Sequence, residues 1–353
     1  MKKIFLPIFL LLIFFLAGCG GNQAAENNSD AEKNSVAEKS SEKVSAAEKK
    51  SSAAKNVSGD LKITMLNVGQ GDAFLIQTKS QNILIDTSDQ DEREKLVREL
   101  EKADVSTFDK IILTHPHADH IGGMDKLLKD YTVKEVFDNG VASTSKLYLN
   151  YMKAIKADKN IKHSTLTAGD VLDFGGGVKF EVLYPTADIV DQTNEMLANR
   201  EKVNLNNQSI VGRLVYKDFS VMFTGDAEKE VESNIWADND EKKLKSTILK
   251  AGHHGSKTAS SENFLSVVKP EVVLISAGEP DKRGGNTYGH PHVEPLENYL
   301  NAGIDSKNIF WSWEEKNGTV TIISDGKNFS VTPEFEEDWV REWITDKKKK
   351  SKK

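Results

Sequence analysis

The stretch KIILTHPHADH, residues 110–120, carries the strongest structural signal in this chain. Its first half is a short apolar run of the kind that forms a buried strand, and a histidine-rich loop follows at once. The potential ligands in this loop are His115, His117, Asp119 and His120. Imidazoles and carboxylates without thiolates suit Zn²⁺, Mn²⁺ or iron better than an iron–sulfur cluster. We therefore expect a metal site at the end of this strand.

Two more histidine clusters and one aspartate follow other apolar runs. They are GHHGS (252–256) with His253 and His254, YGHPH (288–292) with His290 and His292, and Asp226 after the apolar run 219–223. Each is ambiguous alone, because histidines beside glycines also occur in turns. Together they predict several strand ends that converge on one edge of a sheet, where a rigid rim can hold ligands.

Apolar runs alternate with segments of helical periodicity along residues 61–332. The predicted strands are 61–68, 73–77, 82–86, 110–114, 133–138, 178–183, 209–215, 219–223, 246–250, 271–276, 308–313, 318–323 and 328–332. The predicted helices are 90–103, 122–130, 145–156, 227–236, 261–268 and 293–302, with a polar loop over about 185–206. This mixture predicts a layered α/β domain with helices on the outside.

The His-x-His-x-Asp-His string resembles the signature of the metallo-β-lactamase superfamily. Asp86, Asp226 and the pair His253-His254 match its other markers in order. VGQGD (68–72), NNQS (206–209), GHHGS and YGHP resemble the extracytoplasmic hydrolase domain of the ComEC family of competence DNA-uptake channels. The resemblance covers about residues 60–325. It implies a four-layer αβ/βα sandwich with two divalent metals between the sheets, zinc being favoured and manganese the alternative.

The resemblance also implies a role for each matching residue. His115 and His117 would hold one metal, Asp119, His120 and His254 the other, and Asp226 would bridge the two. We favour His254 over its neighbour as the ligand. Asp86 would orient the ligand loop through a hydrogen bond. Asp72 is either a nearby supporting carboxylate or only a turn residue.

One histidine of the superfamily pattern is missing between the first motif and Asp226. The histidine in that interval, His163, lies in a charged stretch and is expected at the surface. Asn207 and Ser209 occupy the matching place and are expected to be weak ligands or substrate contacts.

The chemistry implied is attack by a hydroxide that bridges the two metals. Asp119, His253 and His290 are the candidate catalytic residues, and either histidine could stabilise negative charge or protonate a leaving oxygen. His292 is the weakest candidate of the three clusters.

The N-terminus has the pattern of an export signal. Residues 1–18 join two lysines to an apolar segment, and LAGC, ending at Cys19, resembles the bacterial lipobox. Residues 19–58 then read as a lipidated cysteine and a disordered tether. We expect a hydrolase domain over 59–335, a C-terminal segment with a lysine-rich tail over 336–353, and an extracytoplasmic protein anchored to the membrane through Cys19.

The net charge of the protein helps to choose between the candidate substrates. The 353-residue chain has a net charge of −7; its signal carries +2, its tether is neutral and residues 346–353 carry +5, which leaves −14 for residues 59–345. Nucleic-acid binding depends on cations that neutralise phosphates, so this acidic core disfavours a nuclease. Lys257, Lys282 and Arg283 lie near the histidine clusters and could make the cleft locally positive.

Three functions remain open from the sequence. The leading one is a lipid-anchored dinuclear metallohydrolase that cleaves phosphodiesters, with DNA as one candidate substrate. The second is a metallohydrolase acting on a wall-polymer phosphodiester or a lactone. The third is a non-enzymatic metal-binding surface lipoprotein. The oligomeric state is open.

We predict that Cys19→Ala moves the protein from the membrane fraction to the soluble fraction, because it removes the only thiol that can be lipidated. Fractionation followed by immunoblotting measures this. Unchanged membrane retention would show that lipidation of Cys19 is not the anchor.

Overall fold

The computed structural model describes residues 59–280 and 286–351. The signal, Cys19, the tether, Lys282, Arg283 and the last two lysines lie outside the described residues. Within them, no helix combines the length and apolar character needed to cross a membrane.

Fifteen strands and ten α-helices occur in these two ranges. The strands are β1 (Leu61–Met65), β2 (Phe74–Gln77), β3 (Asn82–Ile85), β4 (Thr107–Ile112), β5 (Thr132–Asp138), β6 (Lys162–Thr165), β7 (Val171–Asp173), β8 (Lys179–Tyr184), β9 (Val211–Tyr216), β10 (Phe219–Phe223), β11 (Ile248–Lys250), β12 (Val272–Ile275), β13 (Ile309–Trp311), β14 (Val320–Ser324) and β15 (Phe329–Pro333). The helices are α1 (Arg93–Lys102), α2 (Ala118–Ile121), α3 (Met124–Asp130), α4 (Lys146–Ala157), α5 (Ala187–Ala198), α6 (Lys229–Asp238), α7 (Glu241–Leu244), α8 (Glu262–Val268), α9 (Val293–Asn301) and α10 (Val340–Lys350).

The strands form two mixed sheets. The first has the order β15-β14-β1-β2-β3-β4-β5-β6, and the second has the order β13-β12-β11-β10-β9-β8-β7. Strands β3 to β6 run parallel in the first sheet, and β10 to β13 run parallel in the second. Ile85 pairs with Ile112, and Met222 pairs with Leu249, so neighbouring parallel strands end nearly level.

Three apolar clusters show how the layers stack. One cluster contains side chains of both sheets, such as Ile83 and Val221, and fills the space between them. A second joins the outer face of the second sheet to α6, α8, α9 and α10. The third joins the outer face of the first sheet to α1, α3 and α4. The predicted four-layer αβ/βα sandwich is therefore confirmed.

The polar loop predicted over residues 185–206 is wrong, because α5 occupies its first half. The Thr186 side chain caps this helix by accepting a hydrogen bond from the Ile189 amide. Val190 and Thr193 are its buried residues. With so few buried positions, α5 has too little apolar periodicity to be recognised as a helix from the sequence.

The predicted domain boundary at residue 335 is also wrong. Trp339 and Val340 are almost completely buried against the second sheet. The Trp339 indole donates a hydrogen bond to Asn317 Oδ1 at 2.9 Å, and its ring lies 5.0 Å from that of Trp311. The segment after residue 335 is therefore part of the folded domain, and its lysines extend from a packed helix.

We predict that Trp339→Ala lowers the free energy of unfolding by about 3–5 kcal/mol, because it empties a large buried site and removes one of the two hydrogen bonds that Asn317 Oδ1 accepts. Urea unfolding measures the change. Phe335→Ala is the matched control, since that ring is 47% exposed and its loss should cost less than about 0.5 kcal/mol. Equal urea midpoints for Trp339→Ala and the wild type would show that this C-terminal segment does not contribute to the core.

Candidate metal centre

The candidate site lies where parallel strands of both sheets end. Asp86 follows β3, His115 follows β4, Asp226 follows β10, and the GHHGS segment follows β11. The carboxyl ends of parallel strands are the usual place for ligands in such sheets. The two sheets thus deliver side chains from opposite sides to one buried space.

Asp119, His120, Asp226 and His254 converge, with one ligand atom of each within 4.8 Å of the others; Asp72, Asp86 and His120 meet the same condition. His254 Nε2 lies 3.2 Å from Asp119 Oδ2 and 3.5 Å from Asp226 Oδ1. His120 Nε2 lies 3.3 Å from Asp226 Oδ2. Two imidazoles and two carboxylates are a suitable donor set for Zn²⁺ or Mn²⁺.

Hydrogen bonds fix which nitrogen of each imidazole faces this group. His254 Nδ1 donates to the carbonyl oxygen of Ser276 at 2.7 Å. His120 Nδ1 donates to Asp86 Oδ2 at 2.8 Å. Nε2 is therefore left with its lone pair in each neutral ring, the state that binds a metal.

The inward-facing atoms have no hydrogen-bond partner. His120 Nε2, His254 Nε2 and Asp226 Oδ1 are all buried and unsatisfied. Buried polar atoms without partners are costly, so three together need a common partner. A divalent cation satisfies all three, and we conclude that these residues fit a metal ion.

The pKa shifts of the ligand residues agree with a bound cation. Burial lowers the pKa of His120, but Asp226, Asp86 and Asp119 outweigh it, and the pKa lies well above its usual value. Burial raises the pKa of Asp226, yet His254 and His120 outweigh it and hold that pKa well below its usual value. Positive charge is therefore favoured between these groups.

A second group, His115 and His117, lies beside the first, and the His115 ring is 4.2 Å from that of His120. His115 Nε2 lies 2.9 Å from His117 Nδ1 and 3.8 Å from Asp226 Oδ2. Burial, and the charge of His120 next, lower the pKa of His115 well below its usual value, so its ring is neutral and able to bind a metal. The structure thus brings all six predicted metal-binding residues into one space.

Comparison with known proteins identifies this arrangement. Residues 66–279 match the family model described as the Metallo-beta-lactamase superfamily. The chain belongs to the metallo-β-lactamase superfamily. It is therefore a metal-dependent hydrolase, and the non-enzymatic alternative loses its support.

Curated relatives refine the family. ComE operon protein 3 of Bacillus subtilis is 29% identical over 303 residues, which cover 79% of this chain and 35% of the relative. Recombination protein 2 of Haemophilus influenzae is 31% identical over 242 residues, 67% of this chain and 26% of the relative. These are ComEC-type competence proteins, so that resemblance is confirmed. The chain spans about a third of the first relative and about a quarter of the second.

Solved structures of the same fold also match. The metal-dependent hydrolase Tm1679 of the beta-lactamase superfamily aligns at a TM-score of 0.47 and 12% identity, over 75% of this chain and 99% of that chain. The YhfI protein from Bacillus subtilis, a metallo-beta-lactamase fold protein, aligns at 0.41 and 13% identity, over 61% and 85% of the two chains.

The structure corrects the expectation for Asn207 and Ser209. Asn207 Oδ1 accepts a hydrogen bond from the Glu228 amide, and its Nδ2 donates to Glu230, so the amide is engaged at the start of α6. Ser209 is fully buried, and its hydroxyl accepts a hydrogen bond from the Asp226 amide at 3.0 Å and lies 3.3 Å from His115 Nδ1. Both side chains are thus engaged by protein partners, and Ser209 contacts two predicted ligands, Asp226 and His115.

Asn206 lies beside the histidines, at the place where Asn207 and Ser209 were expected. Its Nδ2 lies 3.4 Å from His253 Nε2, and its Oδ1 is buried without a hydrogen bond. A short 3₁₀ turn over Asn206–Gln208 decides which amide points inward, and sequence spacing does not reveal that turn.

Asp86 and Asp72 both support the ligands. Asp86 accepts hydrogen bonds from the amide and hydroxyl of Thr114, each at 2.7 Å, besides the one from His120. Asp72 is 2% exposed, and its Oδ1 lies 3.3 Å from His254 Nδ1. The turn-only interpretation of Asp72 is therefore wrong.

Sequence reasoning missed Lys250, the last residue of β11. Its Nζ lies 2.5 Å from Asp72 Oδ2 and 3.8 Å from Asp226 Oδ1, and it donates to the Gly225 carbonyl at 2.7 Å. Lys250 is 1% exposed. The sequence did contain a signal for this residue, namely a lysine at the end of an apolar strand run just before GHHGS. A lysine at such a buried position indicates an acidic partner nearby, because lysine is rarely buried unpaired.

The two histidines of GHHGS face different surroundings. Both have positive φ, 48° at His253 and 54° at His254, a costly conformation that is typical of functional sites. His254 points to Asp119 and Asp226, whereas His253 Nδ1 lies 3.0 Å from the hydroxyl of Thr258. His253 Nε2 lies 3.8 Å from Asp226 Oδ2 and 3.4 Å from Asn206 Nδ2, and His253 is not one of the four residues whose ligand atoms converge.

The remaining histidines divide between the site and the surface. The His290 ring is nearly parallel to that of His254 at 6.1 Å, and its Nδ1 is buried without a hydrogen bond. His292 lies one ring further out, 4.8 Å from His290. His163 is partly exposed and pairs with Asp138 at 2.8 Å, away from the ligand cluster.

We predict that His254→Ala loses about one equivalent of metal, while His253→Ala keeps a near-normal content and slows turnover by about 10²–10³-fold. The reason is that His254 Nε2 faces Asp119 and Asp226, whereas His253 only borders them. Elemental analysis of the purified variants measures the ratio. His163→Ala is the control and should keep its metal; the opposite ranking of His253 and His254 would reverse our assignment.

Proposed function

We propose that this protein is a lipid-anchored, extracytoplasmic phosphodiesterase with two divalent metals. The observation that carries the proposal is the convergence of His120 Nε2, His254 Nε2 and Asp226 Oδ1, three buried atoms without partners. Such a group would hold a cation, and catalytic metal sites of this kind keep one coordination position for water or a substrate oxygen.

Asp119, His120 and His254 would hold one ion, and His115 and His117 the other, with Asp226 between them. Two divalent ions, zinc favoured and manganese the alternative, would supply activation of water and neutralisation of phosphate charge. Asp86 and the Ser276 carbonyl keep both inward imidazoles in the metal-binding tautomer.

The side chains around the ions have separate tasks. Lys250 holds Asp72 in place through an ion pair, and it holds the Gly225–Asp226 turn through a hydrogen bond to the Gly225 carbonyl. His253 and Asn206 border the group from the partly exposed side, where a substrate enters. His253 is placed to donate a hydrogen bond to a developing negative charge or a proton to a leaving oxygen. His290 packs behind it, with ring centres 5.3 Å apart.

Phosphodiesters suit this site because its buried carboxylates require metal cations, and paired cations in turn favour an anionic substrate. One of the relatives is named for recombination, which supports a substrate related to DNA. The export signal and Cys19 support the location outside the cytoplasm.

We predict that the zinc- or manganese-loaded protein hydrolyses bis-nitrophenyl phosphate, and that Asp226→Asn lowers kcat/KM by about 10³-fold or more, because the shared carboxylate of both ions is lost. Release of nitrophenolate measures the rate. A chelator should abolish the activity, and added metal should restore it.

Asp191→Asn is the matched control, since Asp191 lies exposed on α5 and should not affect the rate. A loaded protein that hydrolyses a lactone and none of the phosphodiesters would refute the phosphodiester assignment and favour the other substrate class.

A further inference from the structure

A lysine lies in the apolar interior directly beside the candidate metal ligands. Lys250 is 1% exposed, although it ends the apolar strand β11. Side chains alternate between the two faces of a strand, and Ile248 packs in the space between the two sheets, so Lys250 points into the same space. The second sheet therefore extends a buried ammonium group toward the first.

This ammonium group joins the two sheets through an ion pair. Its Nζ lies 2.5 Å from Oδ2 of Asp72, the residue that precedes β2 of the first sheet by one position. The next nitrogen along, His254 Nδ1, is 3.3 Å from the other Asp72 oxygen, and that oxygen is buried without a hydrogen bond. Lys250 is therefore the closest cation to the Asp72 carboxylate.

The ion pair belongs to a group with an excess of buried carboxylates. Each of four carboxylates has an oxygen within 4.0 Å of a His120 ring nitrogen, namely those of Asp72, Asp86, Asp119 and Asp226. A buried charge that loses its partner is strongly destabilising. The group consequently needs a cation even before a metal binds.

Lys250 and a bound metal would compensate the same negative charge. Asp226 Oδ1 lies 3.8 Å from Lys250 Nζ and 3.5 Å from His254 Nε2, a predicted ligand atom. Groups that share a partner do not contribute independently to stability. Lys250 should therefore contribute much to the stability of the metal-free protein and less to that of the loaded protein, in which its charge also repels the ion.

We propose that Lys250 is a resident counter-ion of the metal centre, which keeps the metal-free protein folded and weakens the binding of the first metal ion. Lys250 is a positioning residue, because it acts through Asp72 and Asp226 and not on a substrate. This inference rests on the metal centre of the proposed function but not on its phosphodiester substrate.

Thermal unfolding of the full chain tests the role of Lys250 in folding. Lys250→Met keeps a long side chain and removes the charge. In the presence of a chelator its midpoint should fall by about 5–15 °C relative to the wild type, because Asp72 loses its partner. In saturating zinc the fall should be less than about half as large, because the metal then compensates the same carboxylates.

Zinc affinity, measured by competition with a chromophoric chelator, tests the repulsion. Lys250→Met should bind its first zinc ion at least about 10-fold more tightly than the wild type, because a positive charge near Asp226 has been removed. Thermodynamic linkage requires this direction, since a variant that gains more stability from the metal must bind it more tightly.

A double variant keeps the test decisive if Lys250→Met unfolds without metal. Lys250→Met with Asp72→Asn removes both charges of the pair, so it should recover at least about half of the lost midpoint and return the zinc affinity toward the wild-type value. The matched control is Lys245→Met, because Lys245 is an exposed lysine just before β11. It should change neither the midpoint nor the affinity.

Three results would overturn the inference: equal falls of the Lys250→Met midpoint with and without zinc, weaker zinc binding by that variant, or no recovery on addition of Asp72→Asn. A loaded protein that cleaves no phosphodiester but shows the expected shifts would refute the proposed function and leave the counter-ion role standing, because neither measurement depends on turnover.

Discussion

The structure depends on the burial of the Asp226 carboxylate between imidazoles from two sheets. Asp226 is 2% exposed and lies within 4 Å of His115, His120, His253 and His254. Carboxylates at this site outnumber its one permanent cation, Lys250, and unpaired buried charge is very costly. Metal cations resolve that imbalance, and the four-layer fold is the scaffold that brings the opposing strand ends together. The Asp226 carboxylate is therefore the point at which the strand ends of both sheets and the candidate metal ligands meet.

Much of this arrangement could be predicted from the sequence. Apolar strand runs that stop at His115, Asp226 and His253 indicate parallel strands whose ends carry ligands, because side chains at such ends share an edge of a sheet. The order of these motifs resembled a known superfamily, and the family model confirmed it. Local patterns were sufficient here because both the burial of the strands and the position of the ligands are encoded in short segments.

The remaining features depend on tertiary contacts that local patterns do not encode. Lys250 looks like a surface residue until Asp72, far away in sequence, is placed 2.5 Å from its Nζ. The choice of Asn206 over Asn207 depends on a single 3₁₀ turn. Residues after 335 looked like a charged tail because six lysines follow Trp343, yet α10 packs on Trp311, and Trp343 holds the loop that carries His290.

The central claim is that His120, His254 and Asp226 share a metal ion. A crystal structure of the zinc-loaded protein, with anomalous data collected at the zinc edge, tests it most directly. We expect one peak about 2.0–2.2 Å from His120 Nε2 and His254 Nε2, and a second beside His115 and His117 at about 3.5–4 Å from the first. Peaks only on His253, His290 or His292, or no peak within the group, would contradict the account.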